Sequence, residues 1–300
     1  MELERFGAAL DAIRRRVEAE VGAEDVAYIR HVDRISRTAE LAGRVLLHVC
    51  FEPVGFTAGV GCLWIGKQLQ ATEIGHAVMH GAYDRLAAGD RFRADTFVWK
   101  MPFSEAVWHE LHNLAHHSHT NVAGRDPGRG IAWRAELTLR MVRKALPYYA
   151  REYVLFPALA GPLFWKVLLG NWLSELIRDT YSILSIYANH DGHDVAYYEA
   201  GTRAKSRAEW YLMQVEATNN FAVPLPVSIL CGALDRHIEH HLFPRLPPNR
   251  LREVSREVRR VCEEHGVAYK EAGWGTTLRK VWRELRRPTM SAPRRERMAS

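Results

Sequence analysis

Three histidine clusters at helical spacing constrain this chain more than any other feature. They are His76-Ala77-Val78-Met79-His80, His112-Asn113-Leu114-Ala115-His116-His117 and His237-Ile238-Glu239-His240-His241. On an α-helix, residues three or four apart share a face, with Cβ atoms about 5–6 Å apart. Two imidazoles so placed can bind one metal ion. A directly adjacent second His is turned by roughly 100° and reaches a neighbouring ion, or another position on the same one. The fold must therefore bring three helical segments together with their histidine faces inward.

These imidazoles outnumber the four ligands of a tetrahedral zinc site and suit two ions with open positions. Imidazole serves Zn, Cu, Fe and Ni alike, so ligand type does not name the metal. A carboxylate-bridged di-iron bundle needs two Glu-x-x-His motifs and two further Glu. The only such motif here is Glu73-Ile74-Gly75-His76, so the site is nearly all histidine. The four cysteines, Cys50, Cys62, Cys231 and Cys262, form no Cys-x-x-Cys, which argues against a rubredoxin-type site or a disulfide framework. A single His pair arises often by chance; three clusters in one chain, two with a doubled His, do not. His31, His48 and His265 match no ligand spacing. His109 and His119 flank the second cluster and are candidates for groups that support its ligands.

The rest of the chain reads as helical. Leu3, Phe6, Leu10, Ile13 and Val17 mark an amphipathic helix over about 3–20. Apolar zones follow at 41–74, broken at Pro53, at 153–189, and at 221–234. Asn249 is expected to cap a helix that carries Leu251, Val254, Val258 and Val261 and ends near Gly266. Strand-like alternation is scarce. No charge-free run reaches the ~18–20 residues of a simple membrane span. Arg44, Glu52, Lys67 and Glu73 interrupt the first zone, and Lys166, Glu175, Arg178 and Asp179 the second. Mean hydropathy is −0.25, which leans away from a membrane protein.

Net charge is +6, and residues 276–300 alone, with eight Arg/Lys against Glu284 and Glu296, account for it. The basicity is a tail rather than a binding face, and no aromatic-rich basic groove points to nucleic acid. The Met-Glu-Leu-Glu start lacks the charged and apolar regions of a signal peptide.

Three stretches together resemble the bacterial membrane fatty acid desaturases of the three-histidine-box, non-haem di-iron superfamily. They are Ile74 through Asp84, Trp108 through Asn121 with Gly124 and Asp126, and Arg236 through Pro244 followed by Leu246-Pro247 and Asn249-Arg250-Leu251. Between the boxes, Gly170-Asn171 and Leu176-Ile177-Arg178 lead to His190, where family members similarly carry a lone metal-binding His; Glu209-Trp210-Tyr211-Leu212 and Gln214 also match. The likeness covers about residues 70–285.

The resemblance implies that His76, His80, His112, His116, His117, His190, His237, His240 and His241 ligate two irons. His193 competes with His190 for the lone position, and Asn220 is the candidate to hold an iron-bound water. It also implies an all-α integral membrane protein: four transmembrane helices under a cytoplasmic helical cap that holds the metals. The expected organisation is one domain over 1–285 and a basic tail over 286–300. The expected location is the inner membrane, multi-pass, with the site on the cytoplasmic side among membrane lipids.

The activity implied is O₂-dependent insertion of a cis double bond into a long-chain fatty acyl substrate. Removing hydrogen from adjacent unactivated CH₂ groups lies beyond any acid–base side chain, so a metal with oxygen must do it. Two electrons come from outside. The chain has no His-Pro-Gly-Gly haem-binding stretch, no Gly-x-Gly-x-x-Gly and no Cys₄ pattern, so a separate ferredoxin, rubredoxin or flavoprotein reductase is expected. The stretches 54–65, 153–165 and 221–234 are candidates to line an acyl tunnel. Two alternatives stand beside this: a fatty acyl or hydrocarbon hydroxylase on the same di-iron site, and a non-enzymatic helical metal- or lipid-binding protein.

Overall fold

Phe6, Leu10, Ile13 and Val17 form the buried face of the first helix, α1 (Leu3–Glu20), as their spacing requires. The computed structural model describes residues 2–286 apart from 87–90, 131–133 and 193. After α2 (Ala23–Val49) the chain turns at Cys50–Glu52 and re-enters helix as α3 (Pro53–Leu69). Pro53 is thus a helix start: its fixed φ suits the first turn, and the Glu52 carboxylate accepts from Val54 N at 2.6 Å and Gly55 N at 2.7 Å. Helix α3 runs on through a π-helical stretch, Gln70–His76, into α4 (Ala77–Met79). Helix α5 (Glu105–Trp108) likewise runs into a π-helical stretch, His109–His116.

The second half follows the same pattern. Helix α6 (Ala135–Ala150), a π-helical stretch (Arg151–Leu155) and α7 (Phe156–Leu159) lead to the long α8 (Phe164–His190). Then come α9 (Arg207–Ala217), α10 (Leu225–Cys231), α11 (His237–Leu242), α12 (Pro248–Glu264) and α13 (Trp274–Leu285). The described strands are β1 (Asn220–Ala222) and β2 (Glu271–Gly273), which pair in parallel with Asn220 opposite Glu271.

Helices α2 and α3 form a hairpin whose backbones come close because glycines sit at the crossing. A Cβ on Gly43 would stand 2.6 Å from Leu63 N, and one on Gly66 would stand 2.8 Å from Ser36 O. Ser36 Oγ instead donates to Gly66 O at 2.8 Å. Three apolar clusters hold the histidine segments. Val26, Ile29 and Val32 of α2 pack on Leu69, Ile74 and Val78 beneath the first box. Val107, Leu111 and Leu137 sit beneath the second. Phe6 and Leu10 of α1, Tyr211 of α9 and Val254 of α12 enclose Ile238 and Leu242 of the third.

Two expectations are corrected. The chain is mostly helical, but no described helix is long and apolar enough to cross a membrane, so the four-span transmembrane bundle and the cap built on it do not hold. The physical reason is charge within the long helices. Arg44 of α2 donates to both oxygens of Glu152 at 2.8 Å, and Lys67 of α3 reaches Glu152 at 2.8 Å. Lys67 also pairs with Glu175 of α8, which pairs with Arg178 at 2.5 Å and accepts from Tyr148 at 2.5 Å. Arg44, Lys67, Glu175 and Arg178, four of the charges that break the apolar zones, thus join Glu152 in one network buried between helices. Second, α12 begins at Pro248, with Pro247 before it, because proline is preorganised for the first helical turn. Asn249 is therefore not the cap; its Nδ2 donates to Asp25 Oδ1 at 2.7 Å. The basic tail expected over 286–300 lies outside the described residues beyond Arg286.

Candidate metal centre

Each histidine segment is anchored before it presents its imidazoles. In the first, a π-helical turn leaves Gln70 O free to accept from Trp99 Nε1 at 2.8 Å. Glu73, fully buried, accepts from Arg252 Nη2 at 2.8 Å and from the Tyr28 hydroxyl. In the second, His117 N bonds His112 O at 3.1 Å, a five-residue step that carries His117 round to the His112 side. In the third, Asn220 Oδ1 accepts from Ile238 N at 2.8 Å. Asn220 Nδ2 donates to Glu239 Oε2 at 2.8 Å and to Tyr269 Oη at 2.7 Å, and Tyr269 Oη donates to Glu239 Oε1 at 2.8 Å. Asn220 thus commits both amide hydrogens and its oxygen to the third box.

Nine imidazoles converge in two groups. His76, His80, His112 and His240 have ligand atoms within 4.8 Å of one another, and so do His116, His190 and His241. His117 joins the first group through its Nε2, 3.2 Å from that of His112, while its ring stacks on His241 at 4.4 Å. His237 Nε2 lies 2.7 Å from that of His190 and 3.1 Å from that of His241. Both doubled-His pairs are divided between the groups: His117 and His240 go to one, His116 and His241 to the other. His109 is exposed, and His119 turns its Nδ1 back to Ala115 O at 3.3 Å. His193 lies outside the described residues. His48 bonds the Arg44 and Phe156 carbonyls, and His265 packs edge-on against Phe6.

The donor set fits a cation. The Nε2 atoms of His76, His80 and His112 form a triangle with sides of 3.1, 3.2 and 3.1 Å. A neutral imidazole nitrogen is either a donor or an acceptor. Three nitrogens in mutual contact therefore always leave one like-with-like pair, and hydrogen bonds alone cannot satisfy the triangle. His240 Nε2 is buried beside it with no partner. Burial drives these rings neutral, helped by neighbouring His: His76 is pushed down to about 3, and His80, His112 and His240 well below the ordinary histidine range. Neutral imidazole is the ligand form.

Neighbouring groups set the tautomers of the second group. His116 Nδ1 donates to Asp126 Oδ2 at 3.0 Å and His241 Nδ1 to Gln214 Oε1 at 2.9 Å, which turns the Nε2 lone pair of each ring inward. Burial alone would raise the Asp126 carboxyl. Hydrogen bonds from His116, Asn121 N and Gly128 N outweigh it and hold the carboxyl at about 2. Asn121, at φ 57°, and Arg129 both donate to His190 O, tying the second box to the lone ligand position. Sequence spacing did not single out Asp126, Asn121, Thr120, Gln214 or Glu239 as site residues. Their roles depend on contacts such as Gln214 to Thr120, 94 residues apart.

Two hollows among the described residues stand out. An apolar groove of about 440 Å³ is lined by Tyr153, Trp165, Leu168, Leu169 and Trp172, partly from the 153–165 stretch. A polar cleft of about 360 Å³ lies against Thr120 and Gln214.

Residues 129–273 match the model of the family described as fatty acid desaturase. That range holds His190 and the third box; the first two boxes lie before it. The similarity to single relatives is broader. The chain is 29% identical to an NADPH-dependent stearoyl-CoA 9-desaturase of Mycobacterium tuberculosis, over 95% of this chain and 79% of that protein. It is 25% identical to an sn-1 linoleoyl-lipid 6-desaturase of Synechocystis, over 74% of this chain and 78% of the relative. With fatty acid desaturase 3 of Homo sapiens it shares 26% identity over 52% of this chain and 31% of the human protein.

Proposed function

This chain belongs to the fatty acid desaturases, and from that premise we propose that it inserts a cis double bond into a long-chain fatty acyl group at a pair of irons held by its own histidines. The observation that carries the proposal is the pair of imidazole groups with their unsatisfiable nitrogen triangle. His76, His80, His112, His117 and His240 would hold one iron, and His116, His190, His237 and His241 the other. When bound, the iron pair supplies the O₂ chemistry that breaks two unactivated C–H bonds.

What the protein contributes is preparation. Burial strips protons from the imidazoles, so lone pairs are available at neutral pH. Asp126 and Gln214 hold His116 and His241 in the tautomer that presents Nε2. Arg252, through Glu73, and Asn220, through Glu239, fix the backbone that carries the first and third boxes. The reducing electrons come from a separate donor.

Elemental analysis of the purified protein tests the centre, with about two irons per chain expected. Gas chromatography of lipids from an expressing host tests the reaction. A new alkene supports desaturation; a new hydroxy acid would assign a hydroxylase instead. One zinc per chain, or no metal, would sink the di-iron reading.

A further inference from the structure

We propose that the polar cleft beside the second imidazole group is the docking site for an acidic one-electron carrier protein. The inference rests on the desaturase reading above. The cleft carries Arg125, Arg203 and His119 together with the hydroxyls of Ser118 and Thr202, and no carboxylate lines it. Arg125 and Arg203 are exposed, and neither is paired with a carboxylate among the described residues. Two unneutralised guanidinium groups on a concave surface attract an anionic partner and speed its encounter.

The inner end of the cleft identifies the partner. Thr120 and Gln214 line it and are otherwise buried. Gln214 Oε1 lies 2.9 Å from His241 Nδ1, and Thr120 Oγ1 3.2 Å from the same atom. The cleft is therefore one hydrogen bond from a ring of the second imidazole group. An acyl chain that reacts along its length must keep its head group several carbon–carbon bonds from the centre, so this cleft is too close for the head group. Electron transfer needs this closeness, and it does not require the donor to enter.

The electron balance calls for such a partner. The reaction is R–CH₂–CH₂–R′ + O₂ + 2 e⁻ + 2 H⁺ → R–CH=CH–R′ + 2 H₂O. The acyl group loses two electrons and O₂ gains four. The missing two come from two reduced carriers, each oxidised by one electron. The chain has no redox-cofactor motif of its own to supply them.

The test uses the purified iron-loaded enzyme, with a plant-type [2Fe–2S] ferredoxin and a rubredoxin, both acidic, as probes. Biolayer interferometry at low and physiological salt should show binding that weakens as salt rises. Arg125→Glu/Arg203→Glu should weaken it about tenfold or more, with iron content and circular dichroism kept. Arg15→Glu/Arg256→Glu, an equal charge change on exposed positions of α1 and α12 outside the cleft, should bind like the wild type. Carrier-driven kcat/KM should fall with affinity, while dithionite-driven alkene formation persists. Absence of salt-sensitive binding by the wild type to either probe overturns the proposal. So does equal binding by the cleft variant, or a cleft that takes coenzyme A in place of the carriers. If the wild type forms no alkene even with dithionite, the desaturase reading fails instead, a result separable from the binding data.

Discussion

His116 and Asp126 are joined by a hydrogen bond of 3.0 Å from Nδ1 to Oδ2, and that carboxylate also accepts from two backbone amides. Asp126→Asn leaves one oxygen for three donors, so an amide NH₂ must face a backbone N–H or the ring. The freed His116 ring can then take the wrong tautomer. The expected result is a 10–100-fold loss of metal affinity at the second imidazole group, measured by chelator competition. Unchanged affinity would show that packing alone orients His116.

The ligand set itself is separable from the other histidines. His240→Ala or His116→Ala should abolish activity and lower iron content, because each removes one nitrogen from a different group. His265→Ala should keep iron and activity, since that ring only packs edge-on against Phe6. An active His240→Ala enzyme with full iron would sink the assignment. A dead but folded His265→Ala enzyme would show that the set is incomplete.

The helices and the three boxes were legible in the sequence because a helical face repeats locally. Phe6, Leu10, Ile13 and Val17 need no distant information to define a stripe. The division of His116 from His117, and of His240 from His241, was foreseeable in outline from the turn between adjacent residues; the separation of His112 from His116, which an ordinary helix would put on one face, was not. The π-helical turns were not. Spacing assumed ordinary helix, whereas the His117-to-His112 bond spans five residues. The charges in the apolar zones correctly marked the lack of a long charge-free run, but not what they pair with. Read along the chain, Arg44 and Lys67 merely interrupt a stretch; in space they meet Glu152, 108 and 85 residues away. Asp126 and Gln214 stood out only as part of the family resemblance; no spacing gives them a role, since one carboxylate or amide among many is marked by the ring it faces.

That buried network gives a stability test away from the metal. Glu152 is fully buried and pairs with both Arg44 and Lys67. Burial alone would raise its carboxyl; the two cations reverse this and hold it below the usual range. Glu152→Gln leaves two buried cations short of an anion, and breaking such a pair costs about 3–5 kcal/mol. Chemical denaturation should show a lower midpoint with an unchanged slope. A neutral result would mean that water or Glu175 takes over the charge.

Asp25 offers a pH-dependent counterpart far from the imidazoles along the chain. Its carboxylate joins the start of α2 to α12, accepting from Arg250 Nε at 2.8 Å, Asn249 Nδ2 at 2.7 Å and Gly22 N at 2.9 Å. Burial opposes ionisation, but these donors, Arg250 foremost, outweigh it and leave the carboxyl below its ordinary value. A group depressed in the folded state binds its proton more readily when unfolded. Its stabilisation is therefore complete above the unfolded carboxylate value of about 4 and fades as pH falls through the lower folded value. Hydrogen bonds to a charged group are worth about 1.5–3 kcal/mol. Asp25→Asn should thus cost roughly 2 kcal/mol at pH 7, with the gap to the wild type closing as the medium is acidified below about pH 4. Denaturation series at several pH values measure that gap directly. A gap that stays constant down to acid pH would mean that Asp25 acts through shape and neutral hydrogen bonding rather than through its charge, and that the α2–α12 junction does not depend on the ion pair with Arg250.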